Sequence, residues 1–252
     1  MSSVERYREI VLGVVNGVLD DEKNKDNIEK AAEMIAEASI RDELIYIVGP
    51  GGHSTMTCEE CMCRTGVLAN INPMLDVTNL LNGTTKSRIL QRNPSYAAGV
   101  LDSYYVPEGA VLIINNAYGI NALTVGIALE AKKRGIKTIG ISSPEHSAHT
   151  PKGHAGRHPS DANLCDIVDV SLDNHMPYGD AIIDIKGCDQ PIGPVSTIAS
   201  VFTLECVMVR AIELIVEKGG DPDVWRSYNV PGGDEYDKHL FEKYGCRVKY
   251  LL

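Results

Sequence analysis

Apolar residues recur along the chain with two spacings, which predict helices separated by short strands. The segments 4–19 and 25–40 repeat apolar positions every three or four residues, as at Ile28, Ala31 and Ile35, and this is the spacing of an amphipathic helix. Short runs rich in apolar residues predict buried strands at 44–48, 69–75, 110–115, 137–142, 167–172 and 181–186. Further helices are expected at 84–101, with an interruption near Pro94, at 121–133 and at 196–218.

The alternation of strands and helices predicts an α/β fold with a parallel sheet covered by helices on both faces. The chain of 252 residues shows no linker, so one domain over 1–252 is expected, with N-terminal helices at 4–40 and a polar tail at 219–252. Ligands of such folds bind outside the carboxyl ends of the strands. That rule groups the segments that follow four strands around one crevice: 53–57, 115–121, 142–146 and 174–180.

The stretch 43–64 carries the strongest indication of a ligand site. A predicted strand is followed by a glycine-rich turn at 49–52 and then by hydroxyl residues that suit a helix start, with the helix expected to reach about Gly66. The free N–H groups and the dipole of such a helix attract anions. An ordinary strand-to-helix turn is the alternative. The residues expected to contact a ligand here are Gly51, Gly52, His53, Ser54 and Thr55.

Composition excludes several classes of protein. The chain has 24 basic and 34 acidic residues, a net charge of −10, and no basic block, so nucleic acid is not an expected partner. The N-terminus lacks the apolar core of a signal peptide, and no segment approaches the length of a membrane span. Seven cysteines without an export signal predict reduced thiols and a cytoplasmic location. The spacing of Cys58, Cys61 and Cys63 has no second cysteine pair to complete a zinc site.

Three glutamates are candidates for acid–base chemistry. Glu59 and Glu60 lie on the helix expected after the glycine turn, where one of them faces a ligand or both are solvated, with Glu60 paired to Arg64. Glu205 lies in a mostly apolar helix, so it is either a base or metal ligand, or one half of an ion pair with a residue such as Arg210.

Histidines and basic residues near strand ends are further candidates. His146 follows a strand end more closely than the three later histidines of the same loop, and a titrating imidazole there suits ring opening or proton transfer. The basic residues Lys86, Arg88 and Arg92 would meet an anionic substrate or else form an ordinary basic helix face.

The chain resembles the SIS (sugar isomerase) domain family over about residues 25–218. The resemblance rests on the strand–GPGGHST–helix stretch, on VLIINNAYGINALTVGIALEAKKRGIKTIGIS, and on IGPVSTIASVF before a long helix. It implies a three-layer, flavodoxin-like fold with a five-stranded parallel sheet. It also implies a homodimer or homotetramer that binds a small anionic sugar at the strand ends. Members of the family are aldose–ketose or amino-sugar isomerases, or regulatory sugar-phosphate sensors.

One loop departs from the family pattern. The family uses a serine-rich turn to hold phosphate, whereas this chain has Asn115-Asn116-Ala117-Tyr118-Gly119. A sulfonate is therefore as plausible an anion as a phosphate. The residues expected to contact the sugar from this and the next strand end are Asn116, Tyr118, Asn121 and Ser143.

The resemblance leads to an aldose–ketose isomerase that works through an enediol. Its base is expected to be Glu60, or otherwise Glu59 or Glu205, with His146 assisting ring opening and Arg64 in the substrate site. No cofactor is expected, with a divalent metal as the alternative. A sugar sensor without catalysis, and a sugar lyase or deaminase, remain alternative functions.

The tail is expected to pack over a crevice. Residues 225–239 are polar yet carry three aromatic residues, which predicts a covering segment that forms no core element and brings Asn229 and Asp234 near the ligand.

Overall fold

The computed structural model, which describes residues 1–76 and 83–252, has a parallel sheet of five strands at its centre. The spatial order is β2-β1-β3-β4-β5, and every neighbouring pair is parallel. The strands are β1 Ile45–Val48, β2 Ile71–Pro73, β3 Val111–Asn115, β4 Lys137–Ser142 and β5 Val170–Asp173. The predicted three-layer α/β fold is confirmed.

Helices cover both faces of this sheet. In chain order they are α1 Ser3–Asp20, α2 Glu22–Ile40, α3 Gly52–Glu59, α4 Thr84–Leu90, α5 Ala97–Ser103, α6 Ala122–Lys133, α7 Pro144–His149, α8 Ser196–Glu217 and α9 Gly233–Tyr244. A two-stranded antiparallel ribbon precedes α8 and consists of β6 Ala181–Ile183 and β7 Ile192–Pro194. No helix in the described ranges is long and apolar enough to cross a membrane.

The core divides at the sheet because successive side chains of a strand point to opposite faces. Ile45 and Ile47 of β1 belong to one buried cluster with residues of α2 and α8. Tyr46 and Val48 belong to a second cluster with residues of α5 and α6. Strands that are buried on both faces read as continuous apolar runs, and this is why the sequence of β3 predicted a strand so clearly.

The register of the sheet brings its carboxyl ends to one edge. Val48 pairs with Ile114, and Ser142 at the end of β4 pairs with Asp173 at the end of β5. The loops that follow these strands therefore start side by side, as expected for a parallel sheet.

Helix α3 is shorter than the sequence predicted. It begins at Gly52, before the hydroxyl residues, and ends at Glu59 instead of near Gly66. The chain leaves the helix because Cys63 takes a left-handed conformation (φ 50°) and the N–H of Gly66 donates to the carbonyl oxygen of Trp225. A tertiary hydrogen bond to the tail has replaced the last helical turns.

The tail forms a small core of its own, so the expectation that it is too polar for a core element was wrong. Trp225, Leu240 and Tyr244 are buried together with Ala69 next to the sheet. The apolar residues of α9 lie three or four positions apart, and this spacing was masked by the charged residues between them.

Candidate functional site

A cavity of about 520 Å³ opens at the carboxyl edge of the sheet. Its walls come from the turn before α3, from α4, from the loop after β3, and from the start of α8. The lining residues are Gly51, Gly52, His53, Ser54, Thr57, Thr84, Ser87, Arg88, Gln91, Asn115, Asn116, Ala117, Tyr118, Asp180, Pro194, Ser196, Thr197 and Ser200. This volume lies within the usual range of small-molecule sites.

The N-terminus of α3 forms one wall. Gly51 is its N-cap, and no side chain caps the helix, so the donors of its first turn stay available to a ligand. Gly51 has a φ of 145°, and a Cβ built on it would lie 3.1 Å from the Gln91 side chain. Glycine is therefore required for α4 to pack so closely beside this helix start.

Arg88 on α4 supplies a cation to the same wall. Its side chain is exposed, and none of the ion pairs among the described residues involves it. Sequence reasoning left open whether this arginine meets a substrate or belongs to an ordinary basic face. The structure places it on the cavity that the start of α3 also lines.

The loop after β3 is fixed by amide hydrogen bonds instead of hydroxyls. Asn116 accepts a bond from the N–H of Gly119 at 3.0 Å and donates to Ser54 Oγ at 3.4 Å, which ties this loop to the glycine turn. Gly119 has a φ of 66°, and a Cβ there would lie 2.9 Å from the Cβ of Ser142. Asn116 and Tyr118 line the cavity.

Asp180 holds the start of α8. Its carboxylate accepts hydrogen bonds from the N–H groups of Val195 and Ser196, at 2.9 and 2.7 Å, and from Ser196 Oγ at 2.9 Å. The phenol of Tyr118 is 3.4 Å from the same carboxylate, and burial, helped by Asp180, raises the pKa of Tyr118 to about 12. An internal anion thus already occupies the N-terminus of α8, whereas that of α3 is open.

Two residues that line the cavity each carry a buried polar atom without a hydrogen-bond partner in the part of the chain that the structure describes. They are Asn115, through its Oδ1, and Thr57, through its Oγ1; the first residue is 1% exposed and the second is fully buried. Buried polar atoms in folded proteins are nearly always paired, so these two are exceptions.

His146 lines a smaller cavity of about 230 Å³ that adjoins the first, and Arg88, Gln91 and Tyr118 belong to both. The imidazole stacks on Tyr178, with ring centroids 5.1 Å apart, and meets the edge of Tyr118 at 4.7 Å. Burial lowers the pKa of His146, which keeps the ring neutral at neutral pH. Asn121 lines this smaller cavity, and its Oδ1 is also buried without a partner.

The three glutamates expected to act as bases do not line either cavity. Glu59 and Glu60 are at the far end of α3, about 10 Å along the helix from its first residue at 1.5 Å per residue. Glu60 accepts from Arg64 at 2.9 Å, and Arg64 itself is 60% exposed. Because α3 starts as early as Gly52, the expected base Glu60 and the expected substrate contact Arg64 form an ion pair outside the cavity.

Glu205 lies beside this ion pair instead of beside the ligand site. Burial, with a smaller contribution from Glu60, raises the pKa of the Glu205 carboxyl, while Arg64 partly opposes the rise. The expected pair of Glu60 and Glu205 is thus brought together, but away from the cavity. Arg210 pairs with Glu29, Glu213 and Glu217 and not with Glu205.

Four other expected contacts take up different roles. The Thr55 hydroxyl donates within the turn to Gly49 and Gly51, and Ser143 is fully buried with its hydroxyl bonded to the Met176 carbonyl at 2.6 Å. Both hydroxyls already make hydrogen bonds within the protein and are not available to a ligand. Asn229 and Asp234 are exposed on the tail and contribute nothing to the cavity of their own chain.

One group of side chains in the described ranges has the composition of a metal site. His175 Nε2 lies 3.7 Å from an oxygen of Asp21 and 3.9 Å from one of Asp173. The group lines neither cavity. Cys58 and Cys61 are buried, and burial raises the pKa of both thiols, so they pack as small apolar residues.

The sequence predicted that the segment 174–180 borders the crevice, but it did not reveal the role of Asp180 or the contribution of α8 to the cavity wall. Ser196, Thr197 and Ser200 line the cavity, and Ser200 lies about one helical turn after the first two. The hydroxyl of Ser196 donates to Asp180 and that of Ser200 accepts from Asn174. The signal was present as three small hydroxyl residues in the first two turns of a predicted helix. The distinctive feature of Asp180 is its left-handed backbone conformation (φ 70°), which cannot be read from the sequence.

Comparison with known proteins identifies relatives in sequence and in structure. A family model described as the SIS domain matches residues 7–143. A UPF0309 protein of Oceanobacillus iheyensis is 32% identical over 100% of both chains, and one of Brucella canis is 32% identical over 98% of both. The fold is similar to the phosphoheptose isomerase of Francisella tularensis, with a TM-score of 0.52, 12% identity, and coverage of 84% of this chain and 100% of that one. It is also similar to the phosphoheptose isomerase of Neisseria gonorrhoeae, with a TM-score of 0.52, 14% identity, and coverage of 86% and 100%.

Proposed function

From the premise that this chain belongs to the SIS domain family, we propose that it is an isomerase that interconverts the aldose and ketose forms of an anionic sugar through an enediol. One observation carries the proposal. One cavity opens on a helix N-terminus without a side-chain cap and on Arg88, which forms no ion pair within the described ranges, and it adjoins a second cavity that holds a neutral histidine. The first feature suits an anion, and the second suits proton transfer.

The anionic end of the sugar binds between the start of α3 and Arg88. The backbone donors of the first helical turn and the guanidinium act on the same charge from two sides. Phosphate is the first choice of anion, because the donors at the start of α3 and the guanidinium of Arg88 together favour a doubly charged group. A sulfonate fits the same wall with one charge fewer.

His146 takes the role of the base in place of the expected glutamates. The neutral imidazole removes the proton from C2 of the aldose, the resulting enediol forms as the carbonyl oxygen gains a proton, and the imidazolium returns its proton to C1 to give the ketose. The second proton moves from the C2 hydroxyl to the C1 oxygen during the same cycle. Burial of His146, which lowers its pKa, provides the neutral form that the first step needs.

Metal ions enter no step of this scheme. Of the described residues that line the larger cavity, His53 and Asp180 are the conventional metal ligands, and both oxygens of Asp180 already accept hydrogen bonds. This donor set does not make a metal centre.

We propose that two copies of the chain associate through an apolar stripe on α8. The stripe repeats every three or four residues, the spacing with which two helices pack. Its apolar members are Ile198, Phe202, Val209, Ile212 and Val216, and Glu205 lies among them. Val209 is 66% exposed and Val216 58%, so the stripe leaves apolar surface in water. A twofold axis would bury the same stripe on both copies. Light scattering should show a monomer for Val209→Asp if this is correct, and an unchanged oligomer if it is not.

Binding calorimetry tests the ligand class. Fructose 6-phosphate, its analogue with a sulfonate in place of the phosphate, and unmodified fructose differ at the terminal group alone. We expect the uncharged sugar to bind at least about tenfold more weakly than the phosphate, a difference of about 1.4 kcal/mol. Equal affinity for charged and uncharged sugars would remove the basis for an anion site at α3.

A sensor without catalysis is the second candidate, and a specific observation favours it. The expected carboxylate bases lie outside the cavity, and the one carboxylate among the described lining residues is committed to α8. Tight binding of a sugar phosphate with no turnover would support the sensor.

A further inference from the structure

Two aspartates and one histidine meet where the N-terminal helices contact the end of the sheet. Asp21 lies between α1 and α2, Asp173 is the last residue of β5, and His175 follows it by two residues. Nε2 of His175 lies 3.7 Å from Oδ2 of Asp21 and 3.9 Å from Oδ2 of Asp173, and the three side chains place one ligand atom each within 4.8 Å of the others. The fold thus brings metal-ligand side chains together from two distant parts of the chain.

The imidazole is too far from both carboxylates to form a hydrogen bond with either. Hydrogen bonds of this kind span about 2.7–3.2 Å, and Nε2 of His175 is buried without a hydrogen-bond partner in the described part of the chain. A metal ion bound at about 2.1 Å holds neighbouring ligand atoms about 3–3.5 Å apart. The observed spacing is roughly half an ångström wider than that. An ion between the three atoms therefore needs only small side-chain rotations, and it needs less room than a water molecule.

In both carboxylates one oxygen is fixed by the backbone and the other faces the imidazole. Oδ1 of Asp21 accepts from the N–H groups of Lys23 and Asn24, at 2.9 and 3.3 Å, and thereby caps α2. Oδ1 of Asp173 accepts from the N–H of His175 at 2.7 Å. No hydrogen bond within residues 1–76 and 83–252 uses Oδ2 of either aspartate. Ligand carboxylates of metal sites are held by hydrogen bonds in the same way.

Helix α1 holds the imidazole from its other side. A Cβ built on Gly17 would lie 3.1 Å from Nδ1 of His175, so the ring packs directly on the helix at a position without a side chain. Glycine weakens the interior of a helix, and at this position it makes room for the ring. The imidazole is therefore held with Nδ1 toward α1 and Nε2 toward the two carboxylates.

The charges around this group favour a cation. Asp20 and Glu22 flank Asp21 in the sequence, and no lysine or arginine among the described residues forms an ion pair with Asp21 or Asp173. The donor set also favours one class of cation. Imidazole suits zinc and similar transition metals, whereas magnesium and calcium prefer oxygen ligands alone.

We propose that Asp21, Asp173 and His175 bind one divalent transition-metal ion of the zinc type, at a site separate from the sugar cavity. The ion links the junction of α1 and α2 to the segment that follows β5, and water completes its coordination. The same segment holds α8 through Asn174, whose Nδ2 donates to Ser200 Oγ at 3.1 Å. The ion is thus a cross-link between the N-terminal helices and the carboxyl edge of the sheet. Its binding requires neither a sugar nor catalysis.

Calorimetric titration with zinc chloride tests the site. After treatment with a chelator and its removal, the parent protein should bind one zinc ion per chain at this site. Zinc should also raise the thermal midpoint, because an ion that binds the folded chain alone stabilises it. Asp21→Asn and His175→Gln should each weaken zinc binding at least about tenfold and should lose the rise in midpoint. Asparagine caps a helix about as well as aspartate does, so Asp21→Asn keeps the cap of α2.

His239→Gln is the matched control. His239 is exposed on α9 and does not belong to the group, so this variant should bind zinc as the parent does. Cobalt(II) provides a second readout, since an ion held by one imidazole and two carboxylates lacks the near-ultraviolet charge-transfer band of a cobalt–thiolate site. Circular dichroism checks that each variant is folded, and either ligand variant alone decides the question.

Four results would overturn the proposal. Zinc that does not bind, or that binds the parent and both ligand variants equally, leaves the group without a metal. A cobalt–thiolate band would assign the bound ion to the cysteines. Tighter binding of magnesium or calcium than of zinc would reject the transition-metal class. None of these results would affect the proposed sugar site, whose ligand and cavity are separate.

Discussion

Replacing Arg88 by glutamine should weaken the binding of an anionic sugar without loosening the fold. A hydrogen bond between two charged partners contributes about 1.5–3 kcal/mol. The Arg88 side chain is exposed, so the lower part of this range applies and about 1.5–2 kcal/mol is expected. That loss corresponds to about 10- to 30-fold in the dissociation constant. Because no ion pair of the described residues involves Arg88, the thermal midpoint of Arg88→Gln should equal that of the parent.

Lys86→Gln provides the control for this measurement. Lys86 is exposed on the same helix but does not line the cavity. Lys86→Gln therefore removes one positive charge, as Arg88→Gln does, without changing the cavity wall. Calorimetry with fructose 6-phosphate should show the loss for Arg88→Gln and not for Lys86→Gln. Raising the salt from about 0.15 M to 1 M shortens the screening length from about 8 to 3 Å and should narrow the difference. Equal, small losses in both variants would mean that net charge alone attracts the ligand, which refutes an anion site at Arg88.

The remaining predictions concern the tail, the proposed base and the displaced glutamate. Trp225 is 3% exposed in the tail core, so Trp225→Ala should lower the free energy of unfolding in urea by about 3–5 kcal/mol, and a loss below 1 kcal/mol would mean that the tail does not pack on the domain. Burial lowers the pKa of His146 from its ordinary value near 6.5, so turnover should fall below pH 6.5, where the ring takes up a proton. His146→Gln should lower kcat by about 10²-fold and abolish this acid-side fall in the pH profile. An unchanged profile would exclude His146 as the base. Burial and Glu60 raise the pKa of Glu205 above 4.5, so the carboxyl stabilises the fold below that pH and destabilises it as the pH rises and the group ionises. Glu205→Gln should therefore be more stable than the parent at pH 7 but not at pH 4. Equal stability of the two proteins at both pH values would show that this carboxyl is well solvated.

The fold could be predicted because its strongest patterns are local. The run at β3 is apolar throughout since that strand is buried on both faces, and the bounds 137–142 expected for β4 agree with the structure. The location of the cavity followed from the rule that parallel strands end at one edge. These inferences need the order of elements along the chain and no knowledge of distant contacts.

The site could be predicted only in part because distant contacts decide which side chains reach it. The end of α3 is followed by a hydrogen bond from Gly66 to Trp225, more than 150 residues later, which local patterns do not reveal. Glu60 lies outside the site because α3 starts as early as Gly52, which puts this residue more than two turns from the helix start. The same early start puts Thr57 in the interior of α3, where this residue lines the cavity. Local capping rules name the residue types at a helix start and leave its position open by a turn.

Proton exchange with solvent during turnover tests the central claim most directly. Fructose 6-phosphate, incubated with the protein in D2O and followed by proton NMR, should lose its signal at one C1 hydrogen and should yield an aldose labelled at C2, because the enediol path exchanges the transferred proton with solvent through the base. The Arg88→Gln variant should slow both changes together. Conversion without any deuterium at C1 or C2 would contradict the enediol path, and binding without conversion or exchange would contradict catalysis and assign the chain to the sugar sensors.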